Sequence, residues 1–216
     1  MKIEIKNMTK IIKKNKVLDD ISISFEGGYV YGFRGKNGCG KTMLMRTIAG
    51  LIYPEKGSVS IDGKILGKDL SFPPSIGMLI ENPVFLPEYT GFENLKILAD
   101  IAGGIKDEEI RECISLVGLI PDDKRKFYKY SLGMKQRLGI AAAIMGSPKI
   151  ILLDEPINAI DEEGVKEIRT VIRGLIDEDR IIIVACHDWD EMRLLADKII
   201  DMADGKITGE RANEII

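Results

Sequence analysis

The run Gly35-Lys36-Asn37-Gly38-Cys39-Gly40-Lys41-Thr42 constrains this chain more than any other stretch. It fits G-x-x-x-x-G-K-[ST], a phosphate-binding loop that works only between a buried strand and the start of a helix. Both flanks are present. Tyr29-Val30-Tyr31-Gly32-Phe33 reads as a short buried strand, and residues 43–51 read as a helix with Gly50 near its end. The glycines let successive backbone N–H groups turn inward as an anion nest, and the helix N-terminus adds partial positive charge. Lys41 then reaches the β- and γ-phosphates of a nucleotide, and the Thr42 hydroxyl is placed to ligate Mg²⁺. Gly35, Asn37, Gly38, Cys39, Gly40 and Met43 complete the expected cradle. Kinases, GTPases and motor ATPases all carry such a loop, so it specifies phosphate binding and nothing further.

A length of 216 residues suits one large α/β domain and leaves no room for two. A formal net charge of −3 argues against a nucleic-acid-binding surface. No apolar run is long enough to span a bilayer. Met1-Lys2-Ile3-Glu4-Ile5-Lys6 alternates charge with isoleucine and lacks a signal-peptide core. Cys39, Cys113 and Cys186 form neither a disulfide framework nor a metal pattern, which points to a reduced, cytoplasmic compartment. Cys39 lies beside Lys41 at a helix N-terminus, a setting that favours the thiolate and predicts that a bound nucleotide blocks its alkylation; equally, it is a small residue where Ser or Ala would also fit.

Along the chain, Ile3 and Ile5, and later Ile21, Ile23 and Phe25, alternate with polar residues at the period of half-exposed strands. An antiparallel layer beside the nucleotide core follows. Residues 58–61 and Asp62-Gly63 predict a further strand closing in a hairpin. Residues 75–80 predict a strand ending on Glu81-Asn82-Pro83. From 83 to 130 strand-like alternation ceases, and residues 91–101 and 107–117 carry apolar side chains at helical spacing. Asp107-Glu108-Glu109 places acid in a first turn, where the helix dipole favours it. Ile150-Ile151-Leu152-Leu153-Asp154-Glu155 is apolar until its end, the pattern of a central parallel strand. A helix over 162–176, a strand over 181–186 and a hairpin-like ending over 199–207 complete the reading.

Asp154 and Glu155 stand at a strand's carboxyl end, where open α/β sheets place their ligands. Beside a phosphate loop, Asp154 is the expected Mg²⁺ partner through a water, and Glu155 the group that polarises an attacking water. His187, the only histidine, follows another buried strand; if the two strands share the sheet, it approaches a γ-phosphate. Ser131 is a plausible N-cap of an apolar-periodic helix, with Gly133 close behind, giving a second helix N-terminus able to bind an anion.

In this order and spacing the pieces resemble the nucleotide-binding domain of ABC transporters, over essentially the whole chain. Residues 35–42 match Walker A, 150–155 Walker B, 130–134 the signature segment, Asp161 the D-loop and His187 the switch histidine. The resemblance implies an α/β fold, a P-loop NTPase core with a mainly parallel sheet, an N-terminal antiparallel β layer and a helical subdomain insert. It also implies a single domain over 1–216, with the helical part at about 83–147 once the signature helix is included. It further implies a head-to-tail homodimer with two ATP molecules sandwiched between copies. Each ATP would meet Walker A of one copy and Ser131 and Gly133 of the other. Glu155 would activate water, His187 would contact the γ-phosphate, and Asp161 would communicate across the interface. Hydrolysis would drive a separate integral membrane permease, with this subunit peripheral on the inner face of the cell membrane.

The chain departs from the family pattern at three places. Tyr130, Leu132 and Met134 alter the signature Leu-Ser-Gly-Gly-Gln. Glu81 replaces the usual glutamine, and as a carboxylate it would ligate Mg²⁺ with a charge glutamine lacks. Ile12 occupies the position of the aromatic that stacks on adenine. Glu81-Asn82-Pro83 and residues 130–137 resemble the subgroup of bacitracin and lantibiotic export or immunity transporters. Two other functions compete: a soluble ABC-type ATPase acting in a non-transport assembly, and a GTPase or small-molecule kinase. The second leaves Ser131, Gly133, Asp161 and His187 without a purpose.

Overall fold

A computed structural model describes residues 1–213. Two sheets and six α-helices make up the described residues, in a mixed α/β arrangement. The first sheet is antiparallel. Strands β1 (Lys2–Ile12) and β2 (Asn15–Glu26) form a long hairpin, joined at β1 by β4 (Lys56–Ile61) and then by the short β5 (Lys64–Ile65). The second has the order β10-β9-β3-β8-β7-β6. Its strands are β3 (Tyr29–Arg34), β6 (Ile76–Leu79), β7 (Ile150–Asp154), β8 (Ile181–Ala185), β9 (Lys198–Ala203) and β10 (Lys206–Ala212). All neighbours in it run parallel except the β9–β10 hairpin.

Burial on both faces explains why β7 and β8 show no alternation. Ile150 and Leu152 face a core shared with the antiparallel sheet and with Leu44, Met45 and Ile48 of helix α1 (Lys41–Ile48). Ile151 and Leu153 face a second core built from the remaining helices. Those are α2 (Gly91–Ala102), α3 (Asp107–Leu116), α4 (Leu132–Ile144), α5 (Glu162–Gly174) and α6 (Trp189–Leu195). Each fully buried aliphatic contributes about 1.5–3 kcal/mol, so these two strands anchor the sheet from both sides.

The expected antiparallel layer, parallel core and helical stretch between 83 and 130 are all present. Thr90 caps α2 through the Glu93 N–H at 3.2 Å, and Glu93 answers to the Thr90 N–H at 2.6 Å, a reciprocal capping box. The β1–β2 hairpin runs much further than its alternation predicts. Its turn is Lys13-Lys14, with φ of 47° and 70°. Both residues sit in the left-handed region where Asn-Gly or Asp-Gly is the usual choice, so no turn signal marks it. The Asp62-Gly63 turn, with φ of 46° and 80°, follows the rule.

Candidate nucleotide site

The carboxyl ends of β3, β7 and β8 emerge on one edge of the parallel sheet, because these strands run in the same direction and in register. Asp154 pairs with Ala185 across β7 and β8, so Glu155 and His187 leave adjacent strands side by side. The phosphate loop leaves β3 at the same edge and enters α1 at Lys41.

Gly40, the N-cap of α1, has φ +113° and provides no side-chain cap, and the first turn holds no acidic residue. The amide groups there have no side-chain acceptor of their own, which is the arrangement that receives an anion. A Cβ on Gly40 would lie 2.9 Å from the Val17 carbonyl oxygen, so the loop needs glycine there for space as well as for its dihedral. Lys41 is only 6% exposed, and its Nζ donates to the Gly35 carbonyl at 2.7 Å. The Cys39 side chain is buried too; a Cβ on Gly35 would sit 2.5 Å from its Sγ. This leaves less of the sulfur open to alkylation than its place in the loop predicts, although Cys39 still lines the groove beside it.

Thr42 donates from Oγ1 to Asp154 Oδ2 at 2.6 Å, joining the helix start to the strand end. Asp154 is 7% exposed. Burial pushes its carboxyl above the usual range; the Thr42 hydrogen bond and Lys41 act against this, while the charges of Glu155 and Glu81 add to it. A buried carboxylate under that load, bonded to a hydroxyl at a phosphate loop, suits a hard divalent cation with oxygen ligands. Among the described residues no cluster of three or more His, Cys, Asp or Glu side chains is grouped to hold a metal. Thr42 and Asp154 are side chains that could join water and phosphate oxygens around a cation. Glu81 is not gathered with them: its carboxylate pairs with Arg46 of α1.

Glu155 Oε2 lies 2.8 Å from His187 Nδ1 and accepts from the His187 backbone N–H at 3.3 Å. Its φ is +51°, a conformation that costs on the order of 1 kcal/mol or more. Two hydrogen bonds hold it there: its N–H donates to Ala185 O at 2.8 Å, and its carbonyl accepts from Gln136 Nε2 at 2.9 Å. Gln136 is buried on α4, and sequence reasoning gave it no role. Its partner lies 19 positions away, and no local pattern announces such a bond.

Two cavities flank the loop. One of about 430 Å³ is lined by Ile12, Val17, Asn37, Gly38 and residues 40–43, together with Asp154 and Glu155. A wider groove of about 1100 Å³ is lined by Gly35 through Cys39, Glu155, Asn158, His187 and part of the β9–β10 hairpin. Asn37, Gly38 and Glu155 belong to both. Neither is lined by Ser131 or Gly133. Ser131 caps α4, accepting from the Met134 N–H at 3.2 Å. Gly133 lies against the Ala159 carbonyl, which a Cβ would approach to 2.8 Å. Asp161 caps α5 by accepting from Gly164 N–H at 2.9 Å.

The profile of the ABC transporter family matches residues 18–158. An uncharacterized ABC transporter ATP-binding protein of Bacillus subtilis, YybJ, is 48% identical over 205 residues, covering 95% of this chain and 94% of its own. The bacitracin transport ATP-binding protein BcrA of Enterococcus faecalis is 38% identical, covering 96% of this chain and 68% of its own. Among solved structures, the dimeric bacterial ABC transporter cassette MJ0796 superposes with a TM-score of 0.87 at 25% identity, over 98% of this chain and 99% of that one. Its fold, its phosphate loop and these relatives agree: the chain belongs to the ABC transporter family, as an ATP-binding subunit with ATPase activity coupled to transport.

Proposed function

We propose that this subunit works as a head-to-tail homodimer that binds two MgATP and drives an integral membrane permease from the inner face of the membrane. The observation that carries the reading is the separation within one chain of the two helix N-termini that the family sequence pattern assigns to a single nucleotide. The loop of residues 35–42 and the Thr42–Asp154 pair form one half. Ser131 and Gly133 line neither adjoining cavity and are free to serve a second copy.

In this reading the smaller cavity takes the base and ribose, with Ile12 and Val17 giving apolar contact without stacking. The triphosphate lies on the loop, with Lys41 turned from the Gly35 carbonyl to the β- and γ-phosphates. Mg²⁺, when bound, would neutralise developing charge on the phosphates; Thr42 and Asp154 are the residues to hold it. Glu155 accepts a proton from the attacking water, and His187, already bonded to that carboxylate, orients it and faces the γ-phosphate. The family resemblance assigns Asp161 to communication across the dimer. The exposed apolar side chains Val84, Leu86 and Ile101, beside the loop after β6 and on α2, support a permease-docking surface on the helical part. No helix among the described residues is long and apolar enough to cross a membrane. The likeness to BcrA supports a place among bacitracin and lantibiotic export or immunity transporters.

The deciding experiment is light scattering of the Glu155→Gln variant after chromatography. With ATP and Mg²⁺ it should elute as a dimer, and without nucleotide as a monomer; a monomer in both conditions would refute the sandwich. Recovery from detergent extracts with only soluble partners would instead favour a non-transport assembly.

A further inference from the structure

Arg46 and Glu81 make an ion pair that the nucleotide-site reading leaves unused. Arg46 lies in the last turn of α1, the helix whose first two residues are Lys41 and Thr42. Its guanidinium donates to the Glu81 carboxylate at 2.5 Å. Glu81 sits two residues beyond Leu79, which pairs with Leu153 in the neighbouring strand β7. It therefore leaves the sheet at the edge where Asp154 and Glu155 stand. Its φ of +63° is one that residues with a Cβ rarely adopt, so the chain turns sharply there before running on to α2. Its charge is also among those felt at Asp154. A carboxylate in that position can answer to two cations. One is Arg46. The other is a cation seated at Thr42 and Asp154.

We propose that Arg46 is a positioning residue that holds Glu81 away from the cation centre, leaving Thr42 and Asp154 to address the cation without a second carboxylate among its ligands. The inference rests on the nucleotide-site reading above. The pair suits such a role because it is partly exposed, with Glu81 on the solvent side, and such pairs exchange readily.

ATP affinity measured by titration calorimetry in EDTA and in MgCl₂, at one ionic strength, tests this. The readout is the factor by which MgCl₂ tightens ATP binding. Arg46→Gln should raise that factor about threefold, the scale of a partly exposed ion pair, because the freed carboxylate repels naked ATP and favours the cation. Arg46→Lys should restore the native factor. In a Glu81→Gln background, Arg46→Gln should leave it unchanged. An equal shift in that background, or no shift from Arg46→Gln alone, overturns the proposal. Failure of the native protein to bind ATP in either buffer would overturn the nucleotide-site reading instead.

Discussion

Helices α1 and α4 both begin without an acidic residue in their first turn, yet their N-termini are built in opposite ways. At α1 the cap is a glycine that offers no side chain, the adjacent lysine is buried, and the hydroxyl of Thr42 is committed to a strand end. At α4 the cap is Ser131, whose hydroxyl serves its own helix, and Leu132 beside it is 66% exposed. One terminus is enclosed by its own chain, with the Lys41 ammonium beside it. The other is a finished helix end turned to solvent. In the proposed dimer this difference gives binding and turnover separate places: α1 would hold a triphosphate alone, whereas α4 would act only on a nucleotide brought to it.

Substitutions that separate the two places test that division. The largest effect is expected at Glu155, where the two cavities meet. Glu155→Gln should slow phosphate release by about 10²–10⁴-fold, the range of a general base, while ATP affinity by equilibrium dialysis stays near native. Normal release would remove Glu155 from the chemistry. Next is Ser131→Asp, which keeps a good N-cap but presents a negative charge to an incoming triphosphate. Hydrolysis should fall by about 10²-fold, with ATP binding by the isolated chain and the melting temperature unchanged. Weakened binding in the monomer would mean that α4 is not a separate half. Lys41→Ala should do the reverse, weakening ATP affinity about 10- to 100-fold through loss of a charged hydrogen bond.

The smallest effect concerns stability. Burial raises the Asp154 carboxyl above its usual value, so the folded state is favoured at low pH and loses stability as pH climbs through the folded value. Asp154→Asn removes that loss and still accepts from Thr42. At neutral pH it should melt about 2–4 °C higher, and the gain should vanish below the ordinary carboxylate range. A lower melting temperature at neutral pH would show that the charge is compensated within the chain.

The enclosed half was far more legible in the sequence than the bonds that tie it to its surroundings. A phosphate loop is contiguous, and its strand and helix flanks follow from local apolar patterns. Asp154 and His187 were legible because burial on both faces writes an unbroken aliphatic run just before each. Gln136 and Arg46 were not, since each acts on a residue 19 or 35 positions away with no periodic signal. Helix α6 was also missed, although Asp188 caps it and Asp190 and Glu191 fill its first turn. It is only seven residues long, too short for its periodicity to stand out.

The turn of the β9–β10 hairpin presses on the phosphate loop from outside. Gly205 donates its N–H to the Cys39 carbonyl at 3.0 Å and accepts from the Asp19 N–H at 2.8 Å, bridging the loop to β2. The loop is thus held by a turn more than 160 positions later in the chain. During synthesis the loop and its helix are complete long before that turn is made, and the strands that carry Asp154 and His187 also precede it. Nucleotide binding to growing chains, stalled before and after residue 205, should therefore switch on late and within a few residues, so that ATP reports on a finished domain rather than on its parts.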